Sequence, residues 1–185
     1  MRTVIRLLVL AMMMTVFTAT CFTRPAMAES AAQIDRDVDQ ALKKLYAKSP
    51  AALKLSQVAK GILVFPKILK GGFIVGVQYG NGALRINGKT AGYSNTTAAS
   101  YGLQAGGQEF AYALFFMDTA SLEYLNKSDG WEIGVGPSVV VVDEGMAKTM
   151  TSTTVQKGIY AFIFSQQGLM AGLGIQGTKI TKINP

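Results

Sequence analysis

Glycine is distributed along this chain in a way that limits what each part can fold into. None of its twenty glycines precedes Gly61, and all twenty fall in the 125 residues from there to Pro185. Glycine weakens helices and supplies the backbone freedom that turns and bulges need. The segment before Gly61 therefore reads as helical, and the segment after it as a turn-rich sheet.

In the first segment Ser30 is a candidate N-cap, and Ile34, Val38, Ala41, Leu42 and Leu45 recur at spacings of three and four. Ser49-Pro50 reads as a second cap with Pro at the first helical position, followed by Leu55, Val58, Ala59 and Ile62. Two amphipathic helices are expected. Lys43, Lys44, Lys48, Lys54 and Lys60 sit among the apolar positions. The stripes are expected to pack on the sheet with the lysines in solvent, and a membrane-lying or partner-binding helix surface stays open as the alternative.

From Gly61 to Tyr93 two apolar runs, a Gly-Gly step and two glycine-bearing sequences, YGNG and INGK, read as β structure turning back on itself. About nine strands are expected: Ile62-Phe65, Phe73-Tyr79, Ala83-Ile86, Ser100-Ala105, Phe110-Met117, Trp131-Val142, Met146-Val155, Tyr160-Ser165, Leu169-Gln176 and Lys179-Ile183, with one or two merging or failing. Asp118 should cap a short mid-chain helix over 118–125. The runs at 110–117 and 139–142 are apolar on both faces, which calls for cover on both sides of the sheet. The fold class is α+β, mainly antiparallel, a curled sheet or a barrel or sandwich with the N-terminal helices on its outer face.

Charge is as uneven as glycine. From Gln40 to Gln108 there is no Asp or Glu, while Lys43, Lys44, Lys48, Lys54, Lys60, Lys67, Lys70, Arg85 and Lys89 contribute nine positive charges. A one-signed stretch of this length suits an anionic partner. Residues 1–28 read as an export signal, with Arg2 and Arg6 before an apolar run and Ala26-Met27-Ala28 as the cleavage site. The rival readings are a membrane-spanning anchor and a lipoprotein acylated at Cys21. A chain cut after Ala28 carries fifteen Lys and Arg against eleven Asp and Glu, a formal charge of +4. It would be periplasmic, with 29–60 helical and 61–185 the β-rich core of the same domain. It would also lack Cys and His, which leaves no disulfide, no Ser-His-Asp or Cys-His catalysis and no zinc site of the usual kind. No cofactor or metal is expected.

Three stretches carry a resemblance to a known family: AKGILVFPKILKGGFIVGVQYGNGALRINGKTAGYSNTTAASYGLQAGGQ, ALFFMDTASLEYLNKSDGWEIGVGPSVVVVDEG and YAFIFSQQGLMAGLGIQGTKI. In this order, from about Leu53 to Ile183, they resemble the SYLF domain family. The resemblance implies a β-dominated fold with N-terminal helices and a non-enzymatic role in binding phospholipid. Eukaryotic members bind phosphoinositides, and some bind actin. An exported bacterial protein would meet neither, so affinity for anionic phospholipid at an envelope membrane is what carries over. A structural protein of the envelope that binds a protein partner is the alternative.

The candidate lipid-binding residues are Lys60, Lys67, Lys70, Arg85 and Lys89, with Ile68 and Leu69, between Pro66 and Gly71, as exposed apolar contacts. Phe65 and Phe73 are weighed as insertion residues, with Phe73 expected in the core. At about 1 kcal/mol per basic residue near an anionic surface, five cations give at most ~5 kcal/mol, roughly millimolar-class binding. Charge alone falls short, so apolar insertion or an acyl-chain pocket is expected to assist. Gly71-Gly72, Gly106-Gly107 and Gly134-x-Gly136 read as bulges or tight curvature rather than phosphate cradles, because no helix follows them. Glu109, Asp118, Glu123, Asp129, Glu132, Asp143 and Glu144 read as turn or cap residues before they read as a hydrolytic pair. Asp143-Glu144-Gly145 reads as a hairpin turn first and a calcium ligand second. Nucleic acid ranks low as a partner, since aromatics are few in the basic stretch.

Overall fold

The computed structural model describes residues 29–128, 130–150, 157–168, 175 and 177–185. The expected export signal, Cys21, Asp129 and most of the 169–176 strand lie outside the described residues. The side chains of Phe73 and Glu144 are likewise outside it.

Serine starts both N-terminal helices. In α1 (Ala31–Lys48) the Ser30 side chain accepts from the Gln33 N–H, and in α2 (Pro50–Ser56) Ser49 accepts from Ala52 N–H with Pro50 in the first turn. The predicted stripe of α1 is its buried face: Ile34, Val38, Ala41 and Leu45 are buried.

Two strands dominate the rest. β1 (Gly61–Ile86) has 26 residues and β2 (Lys89–Phe116) has 28, and they pair antiparallel along their length. Asn87 and Gly88, both at positive φ, form the connecting turn, as INGK foretells. A straight strand of that length would run ~86 Å, against a radius of gyration of ~15 Å for a domain of this size. The hairpin must therefore bend. Its register shifts lie between Phe65 and Ile68, Phe73 and Val75, and Leu84 and Arg85. Gly71 and Gly72 face Gly107 and Gly106 across the bend. The expected turn at YGNG is not one. A Cβ at Gly82 would lie 2.1 Å from the Val64 carbonyl oxygen, and one at Gly80 would lie 2.6 Å from that of Lys67. These glycines let one half of β1 cross against the other.

β2 is the spine of the sheet. Besides β1 it pairs with β5 (Ile159–Gly168) through 108–116 and with β6 (Lys179–Ile183) through 93–97. β3 (Trp131–Glu132) adds to β6, and β4 (Val139–Val141) adds to β5 in parallel. The described residues thus form one curled, mostly antiparallel sheet of six strands. Fewer strands are seen than expected because the predicted segments between 62 and 86 are one strand, as are those between 100 and 116. Of the predicted strand over 146–155, residues 151–155 lie outside the described residues and the rest is corrected: Asp143 caps a short helix, α4 (Glu144–Thr149), through the Met146 N–H at 2.7 Å. Asp143 is therefore not a hairpin residue. The mid-chain helix α3 (Thr119–Lys127) stands where expected, with Asp118 as its cap.

Both faces of the sheet are covered where β2 runs through 110–116, which explains the doubly apolar run 110–117. On one face Ala111, Ala113 and Phe115 pack with Ile62, Val64 and the stripe of α1 and α2. On the other, Phe110, Tyr112, Leu114 and Phe116 meet Leu63, Phe65, Leu122, Leu125 and Trp131. Tyr112 is fully buried with its hydroxyl 2.7 Å from that of Thr96, and burial pushes the phenol well above its ordinary value.

Candidate functional site

The seven residues expected to meet lipid do not form one patch. Lys60 and Lys89 are exposed near the mouth of one groove, where 59–62 lies beside the hairpin turn Asn87-Gly88. Lys67, Leu69 and Lys70 lie on the bulged half of β1, and Leu69 is 54% exposed. Ile68, expected outside, is fully buried, because the bend in β1 lays it against Gly80. Phe65 is buried too, with its ring centroid 4.9 Å from that of Tyr112.

Arg85 also departs from expectation. Its side chain is 11% exposed and holds α1 to the hairpin, donating to the Asp35 carbonyl oxygen at 3.1 Å and the Asp39 carboxylate at 2.8 Å. It donates as well to the Thr90 hydroxyl, which itself donates to Asp35 at 2.7 Å. Tyr93 donates to the other Asp35 oxygen at 3.0 Å, and its phenol is raised by burial and by that carboxylate. Asp35 and Asp39 lie 50 and 46 residues before Arg85. An acid-free stretch can therefore have its charges answered from outside the stretch.

Four of the seven carboxylates named as hydrolytic candidates, Glu109, Asp118, Glu123 and Asp143, have local tasks. Asp118 accepts from Ser121 N–H, Ser121 hydroxyl and, at 2.6 Å, Gly158 N–H. Burial opposes its ionisation, but these hydrogen bonds outweigh it and hold the carboxyl below its ordinary value. Glu123 pairs with Lys127 one helical turn on, and Glu109 pairs with Lys67 at 3.4 Å. Among the described residues no three acidic side chains converge as a metal site would require.

What the fold does gather is a different set of lysines. The C-terminal half of α1 borders two neighbouring grooves that share Lys48, Ser165 and Gln166. One is lined by Lys44, Lys48 and Lys67 together with Asp37 and Glu109, beside Pro66 and Phe110. The other, about 660 Å³, runs between α1, α2, α4 and β5, with Leu45, Ala51, Val142, Met150, Phe162 and Phe164 along it and Lys48, Lys54 and Lys148 at its edges. Lys44, Lys48, Lys54 and Lys148 are exposed, and none is in an ion pair among the described residues. Sequence reasoning had placed Lys44, Lys48 and Lys54 on the outside of the helices without seeing that they converge. Lys148 was missed because it lies beyond the acid-free stretch, on a segment read as a strand.

A second surface feature lies along β1. Val75, Val77 and Tyr79 alternate on one side of the strand and are 54%, 63% and 55% exposed.

No helix of the described residues is long and apolar enough to cross a membrane. No curated protein matches the chain. Residues 97–184 match the model of the family Ysc84, described as the Las17-binding protein actin regulator; these residues span β2 from Thr97 onward, α3 and the closing strands, and the match is consistent with a member of the SYLF domain family.

Proposed function

We propose that this protein binds anionic phospholipid without catalysis, at the periplasmic side of a bacterial envelope membrane. The observation that carries the proposal is the convergence of Lys44, Lys48, Lys54 and Lys148, unpaired among the described residues, around two adjoining grooves. The family match supports a binding module, since the family is known for lipid- and actin-binding members. At about 1 kcal/mol for each basic residue near an anionic surface, these four contribute up to ~4 kcal/mol.

The test is sedimentation with vesicles of phosphatidylglycerol and cardiolipin against phosphatidylcholine, repeated as salt is raised. Binding should require anionic lipid and fade with salt. The triple substitution Lys48→Gln, Lys54→Gln, Lys148→Gln should weaken it by about two orders of magnitude, from ~3 kcal/mol lost. Substituting Lys60 and Lys89 should matter less. Equal binding to neutral vesicles, or a triple variant that binds as well as the parent, would refute the assignment.

A second reading rests on Val75, Val77 and Tyr79. An exposed apolar row on a sheet suits a protein partner in the envelope. Loss of a specific pull-down partner in Val77→Asp, with vesicle binding unchanged, would favour it.

A further inference from the structure

We infer that the groove between α1, α2, α4 and β5 takes one acyl chain of the bound phospholipid, with the anionic headgroup held by Lys48, Lys54 and Lys148. The inference rests on the lipid reading above and goes beyond it: the protein would draw a single chain out of the bilayer plane rather than rest on the surface.

Shape and chemistry point the same way. The groove's volume of about 660 Å³ falls within the ~300–1,000 Å³ typical of small-molecule sites. Its apolar side chains come from all four elements: Leu45 from α1, Ala51 from α2, Ala147 from α4, and Phe162 and Phe164 from β5. Phe162 and Phe164 are 4% and 9% exposed, so a chain lying there would meet side chains already seated in the core. Three of the four charged groups at the edge are cationic. The one carboxylate, Asp143, accepts from the Met146 N–H at 2.7 Å and is thereby engaged as a helix cap. Apolar length beneath three unpaired cations complements an anionic amphiphile, and fits a neutral sugar or a cationic peptide poorly. The elements at the edge also carry exposed apolar residues, Leu53 on α2 at 44% and Met146 on α4 at 37%, suited to the glycerol and interfacial region of a lipid.

The experiment titrates the purified protein with alkyl phosphates of eight, nine, ten, eleven and twelve carbons, each below its micelle concentration, and with alkyl trimethylammonium ions of equal length. Affinity for the phosphates should rise about fourfold per methylene, the factor for moving one buried methylene out of water, until the groove is full and the rise stops. The cationic series should bind at least tenfold more weakly. Ala147→Trp, which fills the groove, should cost at least tenfold in alkyl phosphate binding. The length series on the unaltered protein decides the matter should that variant not fold. Binding to phosphatidylglycerol vesicles with no dependence on alkyl length would overturn the groove and leave the surface reading standing. Alkyl phosphate binding with no vesicle binding would overturn the membrane reading, and with it phospholipid as the source of the chain.

Discussion

Gly82 offers the sharpest test of how this hairpin is built. A Cβ there would sit 2.1 Å from the Val64 carbonyl oxygen and 2.7 Å from Phe65 Cδ1, where ordinary contact begins at 3.4 Å. The first obstacle is backbone and cannot rotate away. The second is a fully buried ring already packed on Tyr112. Gly82→Ala must therefore separate the two crossing halves of β1 by about an ångström, an overpacking of the kind that costs ~1–3 kcal/mol. For a domain of this size each kcal/mol lowers Tm by about 2–4 °C, so a fall of roughly 2–12 °C is expected in a thermal melt followed by circular dichroism. Gly92→Ala is the control. It lies in β2 opposite Leu84 with nothing within 4 Å of its Cβ, and the substitution should be neutral or slightly stabilising. A Gly82→Ala protein that melts with the Gly92→Ala protein would refute the crossing.

Arg85→Met should lower stability by about 1–3 kcal/mol in urea titration, less than a fully buried pair because Asp39 is largely exposed, and should leave vesicle binding unchanged. Weakened vesicle binding at unchanged stability would return Arg85 to the lipid surface. Asp118→Ala should cost ~1–2 kcal/mol at neutral pH as a lost N-cap. Because the folded carboxyl titrates below its ordinary value of 3.8, its ionic stabilisation is complete above that pH and is lost as pH falls through the folded pKa. The gap between parent and Asp118→Asn should therefore begin to narrow below about pH 4 and go on narrowing as pH falls through the folded pKa, and a gap that does not narrow with falling pH would exclude the linkage. Tyr112→Phe leaves the buried Thr96 hydroxyl without its partner and should cost about 1–2 kcal/mol by the same titration.

Local signals were read correctly where the physics is local. Ser30, Ser49-Pro50 and Asp118 start helices because a cap needs only its own next three residues. INGK turns because Asn87 and Gly88 adopt positive φ themselves. YGNG misled because a glycine that permits a close crossing looks, in sequence, like a glycine that permits a turn. Asp143 misled in the same way: a cap and a hairpin corner use the same short acid.

The candidate site was legible in kind and not in membership. That a basic surface meets apolar residues followed from composition, because the acid-free run and the helical lysines are properties of the chain itself. Which cations remain available is a property of the folded pairs: Asp35 and Asp39 hold Arg85, and Glu109 holds Lys67, whereas Lys48 and Lys54 meet Lys148 over a shared groove. Ile68 is buried only because β1 doubles back upon it. The sequence by itself determined the helices α1, α2 and α3, the β-rich body, the need for cover on both faces and the excess of positive charge, since periodicity, capping and composition act over a few residues. Only the tertiary structure decided which charges are answered and which apolar side chains form a groove, because partners in both cases lie dozens of residues apart and are brought together by the bend of one long hairpin.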